Sequence, residues 1–298
     1  MAFSPLNTKS QYHVRSISLP SRPHPLIPEF DEHLCRLKVP ESTCSSSSIS
    51  HKLSGLKDVH DCVDDLLLLP LTQQALAQNC LEKWVDELLE GSLKLLDVCG
   101  TAKDALLQTR QHAYELQSSI RRRRGGKNGI STEVEEYLTS RKKVVKAIHK
   151  ALKTLKGMEN KCSFSPLNKD PETISMVSML REVETVTVTV LESLLSSIAG
   201  ATARSKPSGW SLVSTLMHQK RVAFEDAAVD LSEFEKVDAA LYPLIGHKGR
   251  SVNLVHVDRV RNELEKLESS IQDLEEGIEF LPRRLIKTRV SLLNILSH

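Results

Sequence analysis

A chain of 298 residues with 40% hydrophobic side chains can bury a real core, and an aromatic share of 4% leaves leucine as its main apolar filler. That balance favours helices packed through leucine seams over strands, which draw on aromatic and β-branched residues. A formal charge of +2 argues against nucleic-acid binding by bulk charge, and with no apolar run of about 18 residues no membrane span is expected.

Residues 1–50 are rich in Ser and Pro, end in the run Ser45–Ser48, and read as a disordered tail that cannot bury enough surface to offset its ordering entropy. They hold no continuous apolar stretch, so no secretory signal is expected. Within the tail, the run from Arg15 to Pro20 matches the pattern bound by phosphoserine-binding regulators, with Ser18 as phosphate carrier and Arg15 and Pro20 flanking it. Short motifs of this kind also arise by chance in Ser/Arg-rich tails.

Residues 51–298 read as one helical domain. Leu56, Val59, Val63 and Leu66 recur at spacings of three and four in a first helix beginning near Ile49 and closed by Pro70. Trp84, Val85 and Leu88 open a much longer one. Its seam continues through Leu95, Cys99, Ala102, Leu106, Ala113, Leu116 and Ile120, broken by Ser92 and Thr109 at seam positions. Gly91 and Gly100 each weaken it by roughly 1 kcal/mol relative to alanine, and Gly125 and Gly126 should end it.

Ser131 or Thr132 caps the next helix, with seam Val134, Leu138, Val145, Ile148, Leu152 and Leu155. Asp170-Pro171 starts another. Its Thr185–Val190 run alternates like a strand, but Met176, Leu180 and Val183 before it and Leu191, Leu194 and Ile198 after it keep helical spacing. A linker from Gly200 to Gly209 leads to a helix carrying Leu216, Phe224, Leu231 and Phe234, followed by a loop with Pro243, Gly246 and Gly249. The last seam runs Val257, Val260, Leu264, Leu267, Ile271, Leu274, Ile278, Leu281, and resumes beyond Pro282 at Leu285, Leu292 and Ile295. That proline either kinks one helix or starts a second at its first turn. The expected fold is all-α, an elongated antiparallel bundle of long helices.

Three stretches carry a resemblance: His13–Pro25 (HVRSISLPSRPHP); LLLLPLTQQAL from Leu66 to Leu76 with SLKLLDVC from Ser92 to Cys99; and LIKTRVSLLNILS from Leu285 to Ser297. In combination they resemble the plant BYPASS-related family, classed as domain of unknown function 241, across essentially the whole chain. Pro282 stands where the family pattern has an aromatic, a departure that bears on the continuity of the last helix. The resemblance implies a plant protein linked to root and shoot development with no catalytic set to carry over.

The residues themselves agree on chemistry. The six cysteines form no CxxC pair and match no zinc module, so a reduced, intracellular compartment is expected, the cytoplasm first, with membrane periphery or nucleus as alternatives. His60, Asp61 and Cys62 are neighbours, but adjacent helical residues point in different directions. No GxSxG, HExxH or Walker-type loop occurs. No catalytic residue, cofactor or metal is therefore expected.

Three surfaces remain as candidates. Arg121, Arg122, Arg123 and Arg124 form a basic cluster, read as cations at a negative helix end or as an import or phosphate-binding signal. Arg141, Lys142, Lys143, Lys146, Lys150, Lys153 and Lys156 follow with no acid between Glu136 and Glu159. Such a face could meet an anionic membrane, or could flank the acidic stretch from Glu263 to Glu279 within the bundle. Leu285, Leu292 and Ile295 could serve as a partner seam if the bundle leaves them uncovered. The reading as a whole is a non-enzymatic scaffold that binds protein partners, with a peripheral membrane adaptor as the alternative and the oligomeric state open.

Overall fold

The computed structural model describes residues 24–39, 46–77, 83–122, 130–159, 171–200, 231–245 and 254–297. Among these residues there are nine helices and no strand. They are α1 (Leu26–Lys38), α2 (Ser46–Leu67), α3 (Pro70–Ala77), α4 (Lys83–Arg122), α5 (Ser131–Glu159), α6 (Pro171–Ala199), α7 (Glu233–Ile245), α8 (Leu254–Ile278) and α9 (Leu281–Ser297). Their apolar stripes meet in one core.

The leucine seams build that core as their periods dictate. Every apolar seam residue of α4 from Leu88 to Ile120 is buried, and so are the α8 seam from Val260 to Ile278 and Leu281 at the start of α9. Thr109 fits the seam because its hydroxyl donates to the Ala105 carbonyl. The same device resolves the alternating run in α6. Thr185, Thr187 and Thr189 donate to the carbonyls of Arg181, Val183 and Thr185, so the polar half of the alternation is satisfied inside the helix. Pro171 is the first residue of α6, as a proline without a free N–H allows. Gly200 stops that helix at φ +78°, a left-handed conformation that suits glycine, and its N–H bonds the Ser196 carbonyl.

Two long threads run through the bundle. α4 lies antiparallel to α8 and α9, as the pairs Arg110–Glu275, Lys103–Glu279 and Arg289 to the Leu89 carbonyl show. α2 lies parallel to the same two helices. A sequence separation of 224 recurs at Ser46–Ser270 and at Asp64–Thr288, and Leu53 packs on Gly277 between them. α8 and α9 therefore follow α2 in one register across the turn at Glu279–Phe280, with Pro282 in the first turn of α9. The proline starts a second helix. Parallel neighbours such as α2 with α8, or α4 with α6 through Glu87–Arg181, qualify the antiparallel plan.

Three further corrections concern the ends of helices. Residues 26–38, taken as disordered tail, form α1 and bury Phe30 and Leu34 against α2. Their apolar period (Leu26, Phe30, Leu34) is real but diluted by the surrounding Ser and Pro. Ser46 to Ser48 of the serine run belong to α2: Ser46 and Ser48 are buried, and the Ser46 hydroxyl donates to that of Ser270. Pro243 lies inside α7 rather than in the following loop, near the helix end and beside the buried Leu244. The start of α7 carries a reciprocal cap. The Ser232 N–H donates to the Glu235 carboxylate at 2.9 Å, and the Glu235 N–H to the Ser232 hydroxyl at 3.4 Å. Residues 1–23, including Arg15, Ser18 and Pro20, and the stretch with Leu216 and Phe224 lie outside the described residues.

Candidate interaction surface

The basic stretch of α5 divides by face. Val134, Tyr137, Arg141, Val144, Ile148, Ala151 and Leu155 are spaced by three and four and form the buried stripe. Arg141 is thus a core residue, 4% exposed, which corrects its assignment to a basic surface. Its guanidinium donates to the Ile198 carbonyl, in the negatively polarised last turn of α6. It also lies 3.4 Å from Asp238 and 5.3 Å from the ring centroid of Phe234, both on α7. Burial pushes the Asp238 carboxyl up to about 6 against the pull of Arg141. It also raises the Tyr137 phenol nearby, whose hydroxyl has no hydrogen-bond partner among the described residues. One arginine therefore ties α5, α6 and α7 together.

Lys142, Lys143, Lys146, Lys150 and Lys153 take the opposite side and are exposed. Lys142, Lys146 and Lys153 fall on one line of the helix, with Lys143 and Lys150 beside it, over about 16 Å at 1.5 Å per residue. No carboxylate among the described residues pairs with any of the five. The expected flanking by the acidic helix does not occur. α5 packs on α4, α6 and α7, while Glu275 of α8 and Glu279 just beyond it pair with Arg110 and Lys103 of α4. The apolar stripes set the packing order, and the charges follow. Arg121 and Arg122 are exposed at the C-terminal end of α4; Arg123 and Arg124 lie outside the described residues.

The third candidate is internal. Leu285, Leu292 and Ile295 are buried where α9 meets α2, α3 and α4, so they form no partner seam. The apolar residues that α9 leaves exposed are Ile286, Val290 and Leu293, at spacings of four and three on another face. The seam is a stripe, and the bundle covers it.

The polar groups between α2 and its neighbours hold the bundle together. Asp64 is buried between Arg284, Lys287 and Thr288 of α9, and Arg284 also engages Asp61. His60 is buried one turn away, with its Nε2 3.2 Å from the Thr187 hydroxyl. That hydroxyl donates its own hydrogen to Val183, so His60 supplies the N–H and carries its proton on Nε2. Burial lowers the His60 pKa to about 4. Sequence spacing could not reveal this cluster, because its members are drawn from α2, α6 and α9.

A family model described as Protein BPS1 matches residues 52–295. No curated protein and no solved structure matches the chain.

Proposed function

The chain belongs to the BPS1 family, and from that premise we propose that it is a non-enzymatic scaffold in plant root and shoot development, holding an acidic segment of a protein partner on the lysine row of α5. The observation that carries this reading is the row itself: five exposed lysines without a carboxylate partner among the described residues, on a helix held by three neighbours. A rigid helix presents its charges without the ordering cost that a loop would bear. Charge complementarity of this kind sets encounter rate and specificity more than affinity. The bland alternative is a solvated face, which fits a lone lysine better than an aligned set.

An anionic membrane surface is the second reading, because each lysine near such a surface is worth about 1 kcal/mol. Against it, none of the large apolar side chains exposed among the described residues belongs to α5, so nothing beside the row would enter the acyl region. No described helix is long and apolar enough to cross a membrane. The test is proximity labelling in plant cells with the full chain and with a variant carrying Lys142→Glu, Lys146→Glu, Lys150→Glu and Lys153→Glu. The scaffold reading expects specific labelled proteins to disappear in the variant while the soluble fraction stays unchanged. Sedimentation of the purified wild type with phosphatidylserine vesicles, reversed by salt, would support the membrane instead.

A further inference from the structure

α1 and α2 bring together three side chains of the kinds that bind transition metals. Glu29 and His33 are one turn apart on α1, and Cys62 faces them from α2. The thiol sulfur, an imidazole nitrogen and a carboxylate oxygen all lie within 4.8 Å of one another. His33 Nε2 is 3.8 Å from Glu29 Oε1, and its Nδ1 is 4.0 Å from Asp58 Oδ2. Cys62 and His60 are two residues apart and so point to different sides of α2, the thiol towards α1 and the imidazole towards α6.

From this geometry we propose a divalent-metal site, with zinc as the fitting ion, ligated by Cys62, His33 and Glu29 and oriented by Asp58. A tetrahedral zinc with bonds of roughly 2.0–2.3 Å holds its ligand atoms about 3.3–3.8 Å apart. The His33–Glu29 separation already meets that limit, and a shift of about 1 Å at the widest pair closes the rest. Glu29, 57% exposed, has the freedom to make that shift, whereas His33 is largely enclosed at 18%. A thiolate, an imidazole and a carboxylate suit zinc, whereas magnesium and calcium want oxygen throughout. With Nε2 on the metal, Nδ1 is left 4.0 Å from the Asp58 carboxylate, and a closure of about 1 Å would complete the carboxylate–histidine–zinc arrangement that fixes tautomer and ring orientation.

Cys62 is a buried free thiol. Binding exchanges the S–H bond for an S–metal bond and releases that proton to solvent. The ion would fasten α1, the helix at the start of the described chain, onto the bundle. This inference is independent of the lysine row.

The test uses full-length, untagged, reduced protein stripped with a chelator and titrated with Co²⁺, then with Zn²⁺. The expected result is one Co²⁺ per chain, a thiolate-to-cobalt charge-transfer band in the near ultraviolet, and displacement by Zn²⁺. Cys62→Ser abolishes the band, His33→Ala weakens binding at least tenfold, and Cys35→Ser leaves it unchanged. Glu29→Gln, at a position 57% exposed, weakens binding about tenfold. No band in the wild type, or a band that persists in folded Cys62→Ser, overturns the site. If Cys62→Ser does not fold, an unchanged affinity in Glu29→Gln overturns it equally.

Discussion

The Arg284 guanidinium lies 2.7 Å from the carboxylate of Asp64, a side chain only 1% exposed. Lys287 at 3.1 Å and Thr288 at 3.3 Å close on the same carboxylate, so a single acid of α2 anchors the first two turns of α9. Removing the acid leaves cations facing a hole. Asp64→Ala should therefore cost about 1.5–3 kcal/mol, the worth of hydrogen bonds to a charged group, because Arg284 keeps Asp61 and both cations reach solvent. Arg284→Ala should cost less, because Lys287 and Thr288 remain. Urea denaturation followed by circular dichroism gives both values, and equal small losses would contradict the anchor.

The two glycines of α4 should behave oppositely. A Cβ on Gly91 would run into the Glu184 carboxylate, which Arg181 holds, whereas one on Gly100 meets nothing within 4 Å. Gly100→Ala should stabilise by about 1 kcal/mol through helix propensity alone. Gly91→Ala should lose that gain to the displaced Glu184, and thermal melts of the two variants report the difference.

Leu285 and Ile286 are adjacent yet differ tenfold in exposure, at 5% and 51%. Leu285→Ala should cost about 2–5 kcal/mol as a core truncation. Ile286→Ser should stay within about 0.5 kcal/mol. Comparable losses at both positions would mean that α9 is rotated from the placement described.

Acid should act on His60 and Asp238 in opposite senses. The His60 pKa is lowered from 6.5 to about 4, so its contribution is complete above pH 6.5 and lost as pH falls through about 4. For a fully buried group this is about 3 kcal/mol. The Asp238 pKa is raised from 3.8 to about 6, so its contribution is complete below pH 3.8 and lost as pH rises through about 6. His60→Gln should then be less acid-sensitive than the wild type, and Asp238→Asn more so. Unfolding free energies at several pH values between 7 and 4 measure the two slopes, and parallel profiles would refute the assignment.

The helical class and most of the core were legible because seam residues such as Leu95, Leu106, Leu264 and Ile271 repeat without regard to their neighbours. Pro171 marked its helix start through the missing N–H. The charge run hides the place of Arg141 because it counts residues and not faces; the spacing from Tyr137 and Val144 puts it on the buried stripe. α1 was lost to averaging over a Ser/Pro-rich segment. The grouping of Glu29 and His33 with Cys62 depends on how α1 docks on α2, which no spacing encodes. The Asp64 anchor likewise depends on α9 lying parallel to α2.

The most direct measurement is quantitative proximity labelling of the α5 charge-reversal variant against the wild type. Circular dichroism should show the same helix content for both, since Lys142, Lys146, Lys150 and Lys153 are exposed. A defined set of proteins, rich in acidic segments, should be labelled by the wild type and missing from the variant. An identical labelled set from both would contradict the role of the lysine row.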